Sequence, residues 1–126
     1  MRTVLGIILG IAAWFVIVLG VSFAIKSADP ALNAALLAHV TTTALVERLI
    51  IGFVGTLAAG YVAALVSGEN RRAPLIAGVL LLAFWGYYHV TMIWNQFPLW
   101  YHLTFFASLP LLSVLGGRLA RTSRAA

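Results

Sequence analysis

The chain has 126 residues, of which 63% are hydrophobic and only 9% are charged. Soluble domains carry roughly a quarter charged residues. A mean hydropathy of +1.04 therefore excludes a soluble domain, and it also excludes a disordered chain. The sequence has no cysteine, which excludes disulfides, thiol redox pairs and cysteine-ligated metal sites. Eight Lys and Arg outnumber three Asp and Glu, and this positive balance calls for a physical cause.

Four uncharged stretches are long enough to cross a membrane as helices, since a span needs about 20 apolar residues. The first follows Met1 and Arg2, as a signal peptide would, but its apolar run exceeds the roughly 7–15 residues of a signal h-region, which indicates a retained helix. The sequence therefore predicts an all-α integral membrane four-helix bundle. It forms a single domain over residues 1–126, with spans at residues 4–25, 45–66, 73–94 and 97–117.

The basic residues predict the orientation of this bundle. When four helices are threaded in order, Lys26 falls on one side, Arg48 near a membrane boundary, and the other six basic residues on the opposite side. Because cytoplasmic loops carry the excess of Lys and Arg, both termini are predicted to be cytoplasmic. The same residues suit contact with anionic lipids, whereas the lack of aromatic interleaving predicts no nucleic-acid binding. The six are Arg2, Arg71, Arg72, Arg118, Arg121 and Arg124.

The segment before the second span is too long for the membrane alone. Residues 30–66 would extend ~55 Å as one helix, whereas the hydrocarbon core takes only ~30 Å. Asp29 and Pro30 form a typical helix start, and the β-branched run at residues 40–43 weakens a helix. We therefore predict a short periplasmic interfacial helix over residues 30–40, a bend near the threonines, and then the second span.

Two stripes of small residues are candidates for helix packing, because small side chains let membrane helices approach closely. The first span carries one and the second span the other, and contact between these two spans is the simplest interpretation. Docking to a second copy or to a larger complex is the alternative, and we predict that one stripe packs within the chain. The stripe residues are Gly6 and Gly10, then Gly52, Thr56 and Gly60.

The polar side chains of the spans concentrate on the predicted periplasmic side. His89 and His102 lie on either side of the short link between the third and fourth helices, ~9 Å and ~6 Å below it at 1.5 Å per residue. Glu47 and Arg48 lie near the outer boundary of their helix, and Asn95 lies in the link. Any site is therefore expected in this half of the bundle, built from these five candidates.

Four interpretations of these residues stay open. One is an aromatic belt at the membrane interface, with satisfied polar side chains. Another is a haem-, metal- or quinone-binding redox protein that uses His89 and His102, since imidazole suits several metals, although two ligands do not complete a zinc site. A third is a small transporter or channel formed by an oligomer, since a path needs polar groups through the whole membrane and the inner half of one chain has few. The fourth is an accessory or structural subunit of a larger membrane complex.

The sequence favours the accessory subunit, surrounded by the lipid bilayer and joined to other membrane subunits or to further copies of itself. It has no glycine-rich phosphate loop, no zinc-protease motif and no nucleophile elbow, so an enzyme is the less favoured class. The sequence requires no cofactor.

The second half of the chain also contains packing and topology elements that occur together elsewhere. They are residues 60–64 (GYVAA), Arg71 and Arg72, residues 97–101 (FPLWY), Pro110 and residues 116–119 (GGRL). From Gly60 onward the chain resembles small, uncharacterised four-helix inner-membrane proteins of bacteria. The resemblance implies a bacterial inner membrane, and it implies no activity and no site residues.

Overall fold

The computed structural model describes residues 1–31, 34 and 41–126. Within these residues the chain is helical, and four helical segments are long and apolar enough to cross a membrane. This confirms the predicted all-α class and fits a multi-pass membrane protein. The helices are α1 (Arg2–Ala28), α2 (Thr42–Ser67), α3 (Arg72–Tyr88) and α4 (Leu99–Ala125). A π-helical turn (His89–Ile93) and a 3₁₀ turn (Trp94–Gln96) extend α3 to the link.

The helix ends follow local sequence signals. Thr41 is the N-cap of α2, where its hydroxyl accepts a hydrogen bond from the Ala44 amide at 3.2 Å. Gly68 ends α2 in the left-handed conformation at φ +81°, which glycine adopts without a steric cost. α4 continues to Ala125, past the predicted span end at 117, because a helix can extend beyond its apolar membrane segment into water. Most of the predicted interfacial helix over residues 30–40 lies outside the described residues.

α2 lies between α1 and α4, and α3 packs against α4 with smaller contacts to α1 and α2. Both chain termini lie at the same end of the bundle. There the Thr3 hydroxyl donates a hydrogen bond to Glu69 Oε1 at 2.8 Å, and the Arg124 guanidinium donates one to the Leu65 carbonyl. Both ends of the chain thus contact the region where α2 ends and the turn to α3 begins.

The two predicted small-residue stripes serve different helix pairs. A Cβ atom on Gly10 would lie 2.5 Å from the Ala59 carbonyl oxygen, so the first stripe brings α1 against the α2 backbone. Gly60 faces the Ser113 carbonyl of α4 instead, closer than any Cβ could stand. Thr56, between these two contacts, accepts a hydrogen bond from the buried Trp14 indole at 3.1 Å. Both stripes therefore pack inside the chain, one on each side of α2.

Candidate functional site

Two histidines form a direct hydrogen bond between α3 and α4. The Nδ1 atoms of His89 and His102 are 2.8 Å apart, and Nε2 of His102 is 3.2 Å from the Trp94 carbonyl oxygen. A carbonyl only accepts, so Nε2 of His102 carries the proton and donates to it. In the neutral His102 ring Nδ1 is then the acceptor, and His89 Nδ1–H is the donor. The two hydrogen bonds therefore fix the tautomer of both rings.

The end of the third candidate span explains why this pair forms. The last carbonyls of a helix receive no hydrogen bond from within that helix. The Trp94 carbonyl is one of these, because the helical segment ends after Gln96. His102, on the first turns of α4, satisfies this carbonyl. On the α3 side of the pair, the π-helical turn that begins at His89 holds one extra residue, which changes the register of the helix just before the link.

Aromatic rings enclose the pair. His89 stacks on Phe105 with 4.9 Å between ring centroids, and His102 stacks on Trp94 at 4.7 Å. The side chains are 3% and 0% exposed, respectively. Tyr101 and Phe97 add further ring contacts to His89 and His102. The histidine pair is thus a closed polar contact inside an apolar shell.

The geometry of the donors favours a hydrogen-bonded pair over a metal centre. Two nitrogens on opposite sides of one metal ion would stand ~4 Å apart, and ~3.3 Å at tetrahedral positions, given metal–nitrogen bonds of ~2.0–2.1 Å. The Nδ1 atoms are instead 2.8 Å apart and share one proton. Within the described residues, no group of three or more His, Cys, Asp or Glu side chains is placed to hold a metal. The remaining histidine, His39, lies outside them.

The other three predicted site residues are not part of this pair. Asn95 is exposed on the 3₁₀ turn. Glu47 and Arg48 line a cleft between α1 and α2, and the Arg48 guanidinium carbon lies 5.4 Å from the centroid of the Phe97 ring. The predicted polar cluster is therefore divided into a buried histidine pair and a charged cleft.

The cleft has a volume of about 320 Å³, which falls within the usual range of ligand pockets. Its described charged residues are Lys26, Glu47 and Arg48. The Trp85 indole nitrogen is buried and has no hydrogen-bond partner in the part of the chain that the structure describes. The lining residues are Val18, Leu19, Ser22, Ile25 and Lys26 of α1, Ala44, Glu47, Arg48 and Ile51 of α2, and Trp85 of α3.

Sequence reasoning did not assign Trp85, Ser22 or Lys26 to a site. One signal was present, since Trp85 precedes His89 by four residues and thus shares its helix face. Depth alone did not show that α1 and α3 meet here.

Comparisons with protein-family models, curated proteins and solved structures gave no match to this chain.

Proposed function

We propose that this protein is an accessory subunit of a larger assembly in a bacterial inner membrane, with both termini in the cytoplasm. The observation that carries the proposal is an outward stripe of small residues on α1. Ala12, Gly20 and Ala24 are exposed, and a Cβ atom on Gly20 would meet nothing within 4 Å. Val16, 72% exposed, completes this row of residues spaced four apart.

A row of this kind lets a second helix approach closely in a membrane. The other small residues of α1, Gly6 and Gly10, already contact α2 and are not available to a partner. α1 also has the least buried span, since only 17% of its most apolar window is buried inside the chain. The occupant we propose for the outward face is a transmembrane helix of another protein.

The hydrogen bonds of the buried polar side chains support an accessory role over a transport path. Thr56 bonds Trp14 and the Gly52 carbonyl, and His89 bonds His102. Ser108 donates to the Phe105 carbonyl at 2.6 Å, and Ser113 donates to the Pro74 carbonyl at 2.6 Å. These five buried side chains thus bond one another, Trp14 or the backbone, and they do not form a continuous polar route across the described part of the bundle.

Gly20→Leu is expected to reduce recovery of the partner about tenfold when the tagged protein is purified from its own membranes in mild detergent. A leucine side chain would separate the two helices at their closest point. The matched control is Ala107→Leu, which places the same side chain at an exposed position on α4. Equal recovery with both variants, or a wild-type protein that is strictly monomeric and without a partner by native mass spectrometry, would contradict the proposal.

The orientation is tested by cysteine labelling, which the cysteine-free chain allows. We expect Gln96→Cys, between α3 and α4, to react with a membrane-impermeant maleimide added to intact spheroplasts. Asn70→Cys, at the end that holds both termini, should react only after the membrane is opened. Labelling of position 70 from outside would reverse the proposed topology.

A further inference from the structure

We infer that the cleft between α1 and α2 binds the headgroup of an anionic phospholipid. It lies on the opposite face of α1 from Gly20, so this site is independent of the proposed partner contact. The cleft residues Val18, Ser22 and Ile25 lie on one face of α1, whereas Gly20 and Ala24 lie on the other. The inference therefore adds a ligand site to the proposed assembly role.

The packing of α1 against α2 explains where this cleft opens. At the other end Gly6 and Gly10 bring the two helix backbones into contact. Nearer the cleft, the α2 backbone contacts side chains of α1 and not its backbone. A Cβ atom on Gly55 would lie 2.6 Å from the Val18 side chain and 3.4 Å from that of Trp14. Beyond Val18 no such close glycine contact holds α1 against α2, and the space of about 320 Å³ opens.

The charges of the cleft favour an anion. Two basic side chains, Lys26 and Arg48, and one acidic side chain, Glu47, line it among the described residues, which leaves a formal charge of +1. An exposed guanidinium can bind a phosphate through two parallel hydrogen bonds. Lys26 lies in the last turn of α1 and Arg48 in the second turn of α2, which places both near the end of the bundle, at headgroup level.

The rest of the lining favours an amphiphile over free phosphate. Val18, Leu19, Ile25 and Ile51 form apolar walls next to the charged residues, and Ser22 adds a hydroxyl. The buried indole N–H of Trp85 has no partner within the described residues. Because this nitrogen has essentially no accessible surface, it lies behind the cleft wall, and Trp85 contributes its aromatic ring to the lining. Acyl chains would continue from the apolar walls into the bilayer.

The test is native mass spectrometry of the detergent-purified, full-length protein titrated with phosphatidylglycerol and, separately, with phosphatidylcholine. Wild-type protein is expected to retain phosphatidylglycerol in preference. Lys26→Gln combined with Arg48→Gln should lower its apparent affinity about tenfold, because two charge-assisted contacts are lost.

The matched control is Arg71→Gln combined with Arg72→Gln, which makes the same charge change at the opposite end of the bundle. Glu47→Gln should raise the affinity, since it removes the only carboxylate among the described lining residues. This variant tests the site even if the Lys26 and Arg48 variant does not fold. Three outcomes would overturn the inference: an equal loss in both double variants, weaker binding in Glu47→Gln, or binding of glycerol phosphate as tight as that of the lipid.

Discussion

His102→Leu is expected to lower the free energy of unfolding by about 3 kcal/mol, more than the simultaneous replacement of both histidines. The single change leaves the buried Nδ1–H of His89 without its acceptor, and an unsatisfied buried donor costs about 1–3 kcal/mol. His89→Leu combined with His102→Leu removes that donor as well. The double variant should therefore be about 1–2 kcal/mol more stable than the single variant, although the Trp94 carbonyl is unsatisfied in both.

The measurement is reversible unfolding of the purified protein in mixed micelles, and the His89→Leu variant completes the double-mutant cycle. Strictly additive costs would show that the two rings are not coupled. Stoichiometric metal, or a Soret absorption band, lost in His89→Ala would replace the hydrogen-bond interpretation with the redox alternative. The expected compensation in the double variant is distinguishable from simple loss of packing, because packing losses at two independent sites add and do not compensate each other.

Gly60→Ala is expected to destabilise the bundle by about 3 kcal/mol, because the added methyl group meets backbone rather than a flexible side chain. The Cβ atom would overlap the Ser113 carbonyl group, so α2 and α4 would have to move apart along their whole contact. The free-energy cost therefore comes from moving two helices apart and not from changing the rotamer of one side chain. Unfolding in mixed micelles measures it under the same conditions as the histidine cycle.

Gly86→Ala is the matched control, since it adds the same methyl group to a helix where nothing lies within 4 Å. Alanine is intrinsically the better helix former by about 1 kcal/mol, so this variant should be neutral or slightly stabilising. Equal destabilisation by both substitutions would mean that the approach of α2 to α4 is not close at Gly60. An unchanged stability for Gly60→Ala would have the same meaning.

Apolar length and local signals along the chain account for the helices of this protein and for most of their ends. Membrane spans follow from apolar length, a property of each stretch alone, and all four candidate spans are found as helices. Gly68 ends α2 in the left-handed conformation, which depends on one residue and not on its neighbours in space. The similar depth of His89 and His102 also followed from the helical rise, and the structure places their Nδ1 atoms 2.8 Å apart.

Which faces of the helices meet depends on their packing in three dimensions and does not follow from these signals. The rise per residue gives the depth of a residue but not its neighbours. Of the five polar candidates at similar depth, two form a closed histidine pair, two line an open cleft, and Asn95 is exposed on the 3₁₀ turn. The π-helical turn at His89 and the backbone contact at Gly60 depend on how α2, α3 and α4 pack together. The same packing brought Trp85 to Lys26 and Arg48 and left Gly20 outward. A nearly uniform apolar sequence specifies where a helix lies in a membrane, whereas small side chains and a few buried hydrogen bonds specify how helices meet.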